Sequence, residues 1–207
     1  SFRKAIKNIT NFHKKQLPKD IIHNKNQIRL RTRWKAIDSV GLYVPGGNAF
    51  YPSSLVMNAV PAMIAGVKRI VCVTPPTKEI NPYFLALLKE LKITETYFLG
   101  GAQAIAALAI GTKKIKSVNK IFGPGNSYVT EAKKQLFGKV GIDLIAGPSE
   151  IVVVADKNNN PKWVAADLMA QAEHDVNAQS ILITDNLKFA KTVIEEIKNF
   201  TKIISNN

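Results

Sequence analysis

The feature that most constrains the fold of this 207-residue sequence is a regular alternation of short apolar segments with segments of helical length. Residues 69–74 (RIVCVT) are mostly apolar and β-branched, which is typical of a buried strand of a parallel sheet, and residues 151–155 (IVVVA) are another apolar segment of strand length. Residues 53–66 and 102–110, which lie between such segments, have the length and composition of helices. The alternation predicts an α/β fold with Rossmann-like parallel sheets and helices on both faces.

The predicted elements extend this alternation over most of the chain. A helix that ends before Pro18 comes first, and Ser53 or Ser54 is the predicted cap of the second helix. Pro61 is expected to kink that helix. The predicted strands are 27–35, 40–44, 69–74, 95–99, 120–122, 140–145, 151–155 and 180–184. The predicted helices after the first are 53–66, 81–91, 102–110, 128–137, 162–173 and 187–198.

Glycine-rich turns follow several of the predicted strands. The carboxyl ends of strands in an open parallel sheet border its ligand crevice, and the N–H groups that begin a helix can bind an anion. Gln103 and Asn126 lie in such turns, where their side-chain amides can hydrogen-bond a ligand. None of the turns has the G-x-G-x-x-G spacing, but together they predict a nucleotide or anion site. The turns are 45–48 (PGGN), 100–103 (GGAQ) and 123–126 (GPGN).

Two other segments carry polar residues that suit a substrate or a metal. Ser149 lies between two predicted strands, where its hydroxyl either contacts a substrate or only supports the loop. Gln171 and His174 are three residues apart and lie on one face of the predicted helix. Imidazole is a good zinc ligand, but a site needs three or four ligands, so a structural histidine is the alternative.

The charge of the chain is strongly positive, with 29 Lys and Arg against 15 Asp and Glu, which gives a net charge of +14. A basic patch would indicate a nucleic-acid partner, but here the excess is mostly lysine spread along the whole chain. The strand at 27–35 has a basic face, which either binds phosphate or RNA or is the solvated face of an edge strand. We favour the edge strand and expect no nucleic-acid partner.

Several classes of protein are excluded by simple features. The single cysteine, Cys72, lies in a buried strand, which favours an inert thiol and excludes both a disulfide framework and a multi-cysteine zinc site. No apolar stretch approaches the roughly 20 residues of a membrane span, and residues 1–19 do not resemble a signal peptide. We therefore expect a cytoplasmic protein with no membrane partner. The chain starts without methionine, so we expect a piece of a longer protein.

Six segments, in matching order and spacing over about residues 31–184, resemble the histidinol dehydrogenase family. Six motifs in register are far more specific than any single glycine turn. The segments are GLYVPGG (41–47), PAMIAG (61–66), GGAQAIAALA (100–109), FGPGN (122–126), AGPSE (146–150) and ADLMAQAEH (166–174).

The resemblance implies a fold and an activity. It implies two interleaved Rossmann-like domains, with residues 45–148 as the nucleotide-binding domain and residues 1–44 and 149–207 as parts of the other. It implies a homodimer that oxidises L-histidinol through L-histidinal to L-histidine, reducing two NAD and binding one zinc ion. By position, Tyr43, Gln103 and Asn126 are the residues expected to contact NAD.

The resemblance also assigns residues to the substrate and to zinc. Ser149, Gln171 and His174 are expected to bind the substrate, and Gln171 and His174 are expected to be two zinc ligands. The family's catalytic base and remaining zinc ligands lie downstream of Asn207, so we expect no catalytic base here and no turnover by these residues alone. Asp175 stands where the family usually has glycine, directly after the expected ligand.

Three classes of function remain at this point. The leading one is an enzyme, or a large piece of one. The second is a binding module that keeps the fold without catalysis, and the third is a nucleic-acid binder suggested only by the charge. Steep salt dependence of binding to DNA or RNA would favour the third.

Overall fold

The computed structural model describes residues 1–46, 51–173 and 178–205, with side chains to residue 202. It divides into two compact units, which are unit 1 (Ser1–Ala146) and unit 2 (Gly147–Asn207). None of the helices in the described ranges is both long and apolar enough to cross a bilayer.

Helices and strands follow one another largely as the sequence predicts. The helices are α1 (Phe2–His13), α2 (Pro52–Ile64), α3 (Pro82–Glu90), α4 (Gly101–Ile110), α5 (Ser127–Leu136), α6 (Pro161–Ala172) and α7 (Leu187–Ser205). The strands are β1 (Ile21–Lys25), β2 (Ile28–Thr32), β3 (Ser39–Tyr43), β4 (Arg69–Thr74), β5 (Glu95–Phe98), β6 (Lys120–Phe122), β7 (Gly141–Ile142), β8 (Glu150–Val154) and β9 (Gln179–Ile183).

Unit 1 is built on a parallel five-stranded sheet with the strand order β5-β4-β3-β6-β7. The first strand of this sheet along the chain, β3, therefore lies in its centre. The chain builds outward to β5 on one side, and then crosses to build β6 and β7 on the other. The order reverses between β3 and β6, which is the topological switch point at which open α/β sheets bind their ligands.

Both faces of this sheet are covered by helices, which confirms the predicted α/β fold. Alternate side chains of a strand point to opposite faces, so Leu42 packs on one side and Tyr43 on the other. Apolar residues of α4 and α5, among them Leu108 and Val129, cover the Tyr43 face. Those of α1, α2 and α3 cover the Leu42 face.

The hairpin β1–β2 precedes the sheet and is antiparallel. All ten of its residues are exposed, and it contains the strand predicted to carry a basic face. Arg31 Nη2 lies 2.8 Å from Asp20 Oδ2, and the main-chain N–H of Trp34 donates to the other oxygen of that carboxylate at 2.9 Å. These bonds tie the basic strand to the segment that enters the hairpin.

Unit 2 contains the parallel pair β8–β9 with α6 and α7 on one face. Val153 and Leu182 point from the strands into this small core, which contains the buried Ala165, Phe189 and Val193. Side chains of intervening residues, such as Val154 and Ile183, are exposed on the opposite face. The alternation is that of strands packed on one side only.

Several local predictions differ from the structure, and the strand predicted at 27–35 covers only Ile28–Thr32. Helix α2 begins at Pro52, because proline is favoured at the first helical position. Its N-cap is therefore Tyr51, without a capping side chain, and the predicted caps Ser53 and Ser54 lie within the helix. Strand β7 ends at Ile142, since the side chain of Asp143 accepts the N–H of Leu144 and turns the chain away. Helix α7 continues past the predicted end at residue 198 to Ser205.

The division into units also differs from the predicted domain boundaries. Residues 1–44 were expected to join residues 149–207, but they lie in unit 1. The physical reason is that β3 is hydrogen-bonded to β4 on one side and β6 on the other, so it cannot be separated from the sheet of residues 45–148. The interleaving of two domains in a longer protein stays a prediction.

Leu108 tests the packing of α4 on the sheet. It is fully buried, and a Cβ atom on Gly41 would lie only 2.7 Å from its Cδ1 atom. We expect Leu108→Ala to lower the free energy of unfolding by about 2–5 kcal/mol in urea titrations followed by circular dichroism. Ile110→Ala on the same helix, where the side chain is 55% exposed, should have a much smaller effect. Equal losses would contradict this packing.

A second prediction concerns pH. Arg69 at the start of β4 donates two hydrogen bonds to Glu95 at the start of β5, at 2.7 and 2.8 Å. These hydrogen bonds hold the pKa of Glu95 below its ordinary value of 4.5. A carboxyl whose pKa is lower in the folded state stabilises the fold at any pH above its pKa in the unfolded state. This stabilisation is lost as the pH falls through the pKa of the folded state. Between neutral pH and pH below 4.5, the wild type should therefore lose more unfolding free energy than Glu95→Gln.

The control for this prediction is Glu131→Gln, which removes a carboxylate that is 3.9 Å from Lys134 on the exposed face of α5. Exposed pairs contribute little to stability, so this variant should follow the acid dependence of the wild type. Identical acid dependence in wild type and Glu95→Gln would show that Glu95 does not stabilise the fold in this way.

Candidate functional site

The carboxyl end of β3 is where three loops of unit 1 converge. Tyr43 is the last residue of this central strand, and the turn that begins at Pro45 follows it. The start of α4 and the turn from β6 to α5 both contact Tyr43 directly. This is the switch-point edge of the sheet, and the predicted turns 100–103 and 123–126 lie there. Of the predicted turn 45–48, Gly47 and Asn48 lie outside the described residues.

The side chain of Tyr43 links β3 to the start of α4. It is 4% exposed, and its phenol oxygen accepts a hydrogen bond from the main-chain N–H of Gly101 at 3.1 Å. The N-cap residue of α4, Gly100, has no side chain with which to cap the helix. A hydroxyl that accepts one hydrogen bond can still donate its own proton. Tyr43 therefore fixes one helix N-terminus at the edge of the sheet.

The turn after β6 approaches the backbone of β3 more closely than any side chain would allow. Gly123 has φ +118°, and a Cβ atom on it would lie 2.0 Å from the carbonyl oxygen of Tyr43. Both the backbone angle and the space require glycine at this position. The turn that carries Asn126 is thereby held against the end of β3.

Asn126 is the N-cap of α5. Its side-chain Oδ1 accepts the main-chain N–H of Val129 at 3.1 Å, and the residue is exposed. The capping bond fixes the carbonyl end of the amide and leaves its NH₂ group pointing away from the helix. Asn126, which is predicted to contact NAD, therefore has a structural role as the N-cap of α5.

Gln103 lies exposed in the first turn of α4. Its Oε1 atom lies next to Gly101, where an added Cβ atom would come within 2.8 Å of it. Gly101 has φ +70°, and this backbone angle is what favours glycine here, because the flexible side chain of Gln103 could move aside. The amide of Gln103 therefore lies over the N-terminus of α4, on the same edge as Tyr43.

Two charged residues that the sequence analysis did not single out hold Gly123 from below. Lys133 of α5 donates to the carbonyl oxygen of Gly123 and to the carboxylate of Asp143. Asp143 accepts the N–H of Gly123 at 2.8 Å. The sequence alone does not identify this pair, because nothing in it shows which of the many lysines is buried.

The residues predicted for substrate and metal lie in unit 2. Ser149 is exposed directly before β8, and its carbonyl oxygen accepts the N–H of Gln179 at 3.1 Å. Gln171 lies near the end of α6, with its Nε2 atom buried and without a hydrogen-bond partner among the described residues. His174 and Asp175 lie outside the described residues, so the predicted ligand pair is described only at Gln171.

The donor set in the described ranges does not by itself form a zinc site. No group of three or more His, Cys, Asp or Glu residues that could hold a metal occurs within residues 1–46, 51–173 and 178–205. Gln171 supplies only an amide oxygen, and a zinc ion needs three or four ligands.

Cys72 is separate from the site. It is fully buried in β4, and burial raises the pKa of its thiol to about 12. The thiol stays protonated at neutral pH, and a protonated thiol is neither a nucleophile nor a metal ligand. The predicted burial of Cys72 in a strand is confirmed, and an inert thiol stays a prediction.

Comparison with known proteins gives one consistent result. The family model for histidinol dehydrogenase matches residues 1–207. The chain is 58% identical over 196 residues to "Histidinol dehydrogenase 1" of Nostoc sp., and this match covers 94% of the chain and 46% of that protein. It is 55% identical over 203 residues to "Histidinol dehydrogenase" of Agrobacterium fabrum, and this match covers 97% of the chain and 47% of that protein.

A solved structure agrees in fold. The crystal structure of histidinol dehydrogenase from Elizabethkingia anophelis matches with a TM-score of 0.85 and 40% sequence identity. The match covers 94% of this chain and 46% of that one. The chain thus spans about half the length of the relatives that it matches.

The close approach of Gly123 to β3 gives a prediction with a matched control. Gly123→Ala places a Cβ atom against the Tyr43 carbonyl oxygen, whereas Gly138→Ala has a similarly positive φ, +94°, and nothing within 4 Å. Backbone strain alone costs about 1–2 kcal/mol, so this is the loss expected for Gly138→Ala. Gly123→Ala should lose clearly more unfolding free energy in the same urea titration. Equal losses would mean that the two backbones do not meet.

Proposed function

Because the chain belongs to the histidinol dehydrogenase family, we propose that it forms the dinucleotide-binding part of an enzyme of histidine biosynthesis. The proposed reaction is the oxidation of L-histidinol through L-histidinal to L-histidine, with two NAD reduced. The observation that carries the proposal is the convergence of Tyr43, Gly101 and Gly123 at the switch point of a parallel sheet. The expected cytoplasmic location and homodimeric assembly belong to the same proposal.

The shape of the switch-point edge suits a dinucleotide. Helices α4 and α5 both begin there, and the N–H groups of a helix N-terminus favour a negatively charged pyrophosphate. Glycine at positions 100, 101, 123 and 125 keeps side chains away from the two helix starts. NAD, when bound, supplies the acceptor for the hydride that leaves the alcohol carbon.

The chain's own residues then bind and orient. Gln103 and Asn126 present amides that can donate and accept hydrogen bonds at the starts of α4 and α5. The hydroxyl of Tyr43 can donate its proton while accepting the N–H of Gly101. Since these groups are held by helices and by the central strand, they are preorganised before the dinucleotide arrives.

Unit 2 is proposed to contribute to the substrate and the metal. The exposed hydroxyl of Ser149 can donate to histidinol, and Gln171 with His174 would supply two zinc ligands. The remaining ligands and the general base that accepts the alcohol proton are proposed to lie in the part of the relatives that this chain does not span. These residues are therefore proposed to bind the dinucleotide by themselves. They are proposed to turn over histidinol only together with that part.

A binding module without catalysis is the second candidate, because the groups at the starts of α4 and α5 can bind a dinucleotide whether or not a reaction follows. The two candidates differ in turnover. Joined to a relative's remaining half, an enzyme part should form NADH from histidinol, and His174→Ala should abolish it. A binding module should bind NAD but form no NADH, whether alone or joined to that half. NADH formation by these 207 residues alone would contradict the proposed division of the site.

Dinucleotide binding itself is tested by calorimetric titration of the 207-residue chain with NAD. Gln103→Ala should weaken binding about 3- to 10-fold, the equivalent of one lost hydrogen bond. Gln135→Ala is the matched control, because this glutamine on α5 is exposed and bonds only to Glu131 in the described structure. Equal affinities for the two variants would remove Gln103 from the site.

A further inference from the structure

We propose that Lys133 and Asp143 are positioning residues that set the affinity for the dinucleotide by fixing the turn from Gly123 to Asn126 against the end of β3. The inference rests on the proposed function and adds two residues to it. Neither side chain is assigned a contact with the ligand. Their effect would pass through the peptide of Gly123 alone.

Lys133 is unusual for a lysine. It is 4% exposed, and it is the one charged residue classed as buried in the part of the chain that the structure describes. Its Nζ atom donates to the carbonyl oxygen of Gly123 at 2.5 Å and to Oδ1 of Asp143 at 2.7 Å. A lysine is buried only when its ammonium group is paired, so these two bonds define its role.

Asp143 completes the arrangement from the other side. Its Oδ2 atom accepts the N–H of Gly123 at 2.8 Å, and its Oδ1 atom also accepts the N–H of Leu144 at 2.8 Å. The N–H and the carbonyl group of Gly123 are therefore both bonded to this pair. Pro124 has no N–H, so the first main-chain donor of the turn that can face a ligand belongs to Gly125.

A gain in stability is a poor explanation for such a pair. Burying two charges costs about as much as their attraction returns, and well-packed apolar residues often stabilise a fold equally well. Apolar residues could not hold the two polar groups of Gly123, however. The specific consequence of the pair is the orientation of one peptide, which lies directly against the carbonyl oxygen of Tyr43.

The same sheet provides a matched control. Arg69 and Glu95 form the other partly buried ion pair of unit 1, with a 2.7 Å contact, at the amino ends of β4 and β5. Arg69 also donates to the carbonyl oxygens of Lys116 and Ser117. In this pair, as in Lys133–Asp143, the basic side chain donates both to a carboxylate and to the main chain. The pair lies, however, at the edge of the sheet opposite the proposed site.

The test compares two isosteric double variants of the 207-residue chain, Lys133→Met with Asp143→Asn and Arg69→Met with Glu95→Gln. Each removes both charges, so neither leaves an unpaired buried ion. Thermal unfolding gives the stability of each, and calorimetric titration with NAD well below both midpoints gives the affinity. We expect both to lose stability, but only Lys133→Met with Asp143→Asn to bind NAD at least about tenfold more weakly.

Each outcome decides. Unchanged affinity in the Lys133–Asp143 variant, or an equal loss in both, would overturn the positioning role. Failure of the wild type to bind NAD would instead overturn the proposed function, on which this inference rests. Should the double variant fail to fold, Lys133→Met alone is used, since it leaves no buried cation and Asp143 keeps the N–H groups of Gly123 and Leu144. It should lose affinity beyond Arg69→Met, and equal affinities would again overturn the role.

Discussion

The approach of one main chain to another at the end of the central strand is the constraint on which the rest of unit 1 depends. Gly123 lies so close to the carbonyl oxygen of Tyr43 that no Cβ atom fits between them. The crossing from β6 to α5 is therefore fixed with respect to β3, and the side chain of Tyr43 fixes the start of α4 in the same way. Two helix N-termini are thereby located by one residue.

The charges of unit 1 are distributed in accordance with this constraint. The excess of lysine is spread along the whole sequence, whereas two ion pairs with low exposure lie at opposite edges of the sheet. Arg69 and Glu95 join the amino ends of neighbouring strands, and Lys133 and Asp143 bind the peptide of Gly123 at the carboxyl edge. The net charge of +14 therefore does not by itself indicate a function, whereas the two buried or half-buried pairs mark specific contacts in unit 1.

The sequence predicted much of the fold because local signals were strong where the sheet is built. The β-branched run of β4 matches its predicted bounds at both ends, and Gly111 ends α4 where expected, with φ +85°. The predicted cap of α2 was wrong because the helix begins at Pro52, before the two serines. The placement of residues 1–44 differed because strand pairing is a long-range property that periodicity does not contain.

The site was partly predictable for the same reason. Glycine turns after strands mark the edge of the sheet, so Gln103 and Asn126 could be located from local pattern. Lys133 could not, because it is adjacent to the exposed Lys134, and no feature of the sequence distinguishes the two. Its partner, Asp143, follows a strand of only two residues, whose end is set by tertiary hydrogen bonds.

The central claim is that the switch-point edge of unit 1 binds a dinucleotide. Hydrogen–deuterium exchange of the 207-residue chain with and without saturating NAD tests it most directly, residue by residue. The account predicts slower exchange for the main-chain N–H groups of Ala102, Gln103, Gly125 and Asn126, and unchanged exchange in β8 and β9. Protection confined to other parts of the chain, or none at saturating NAD, would contradict it.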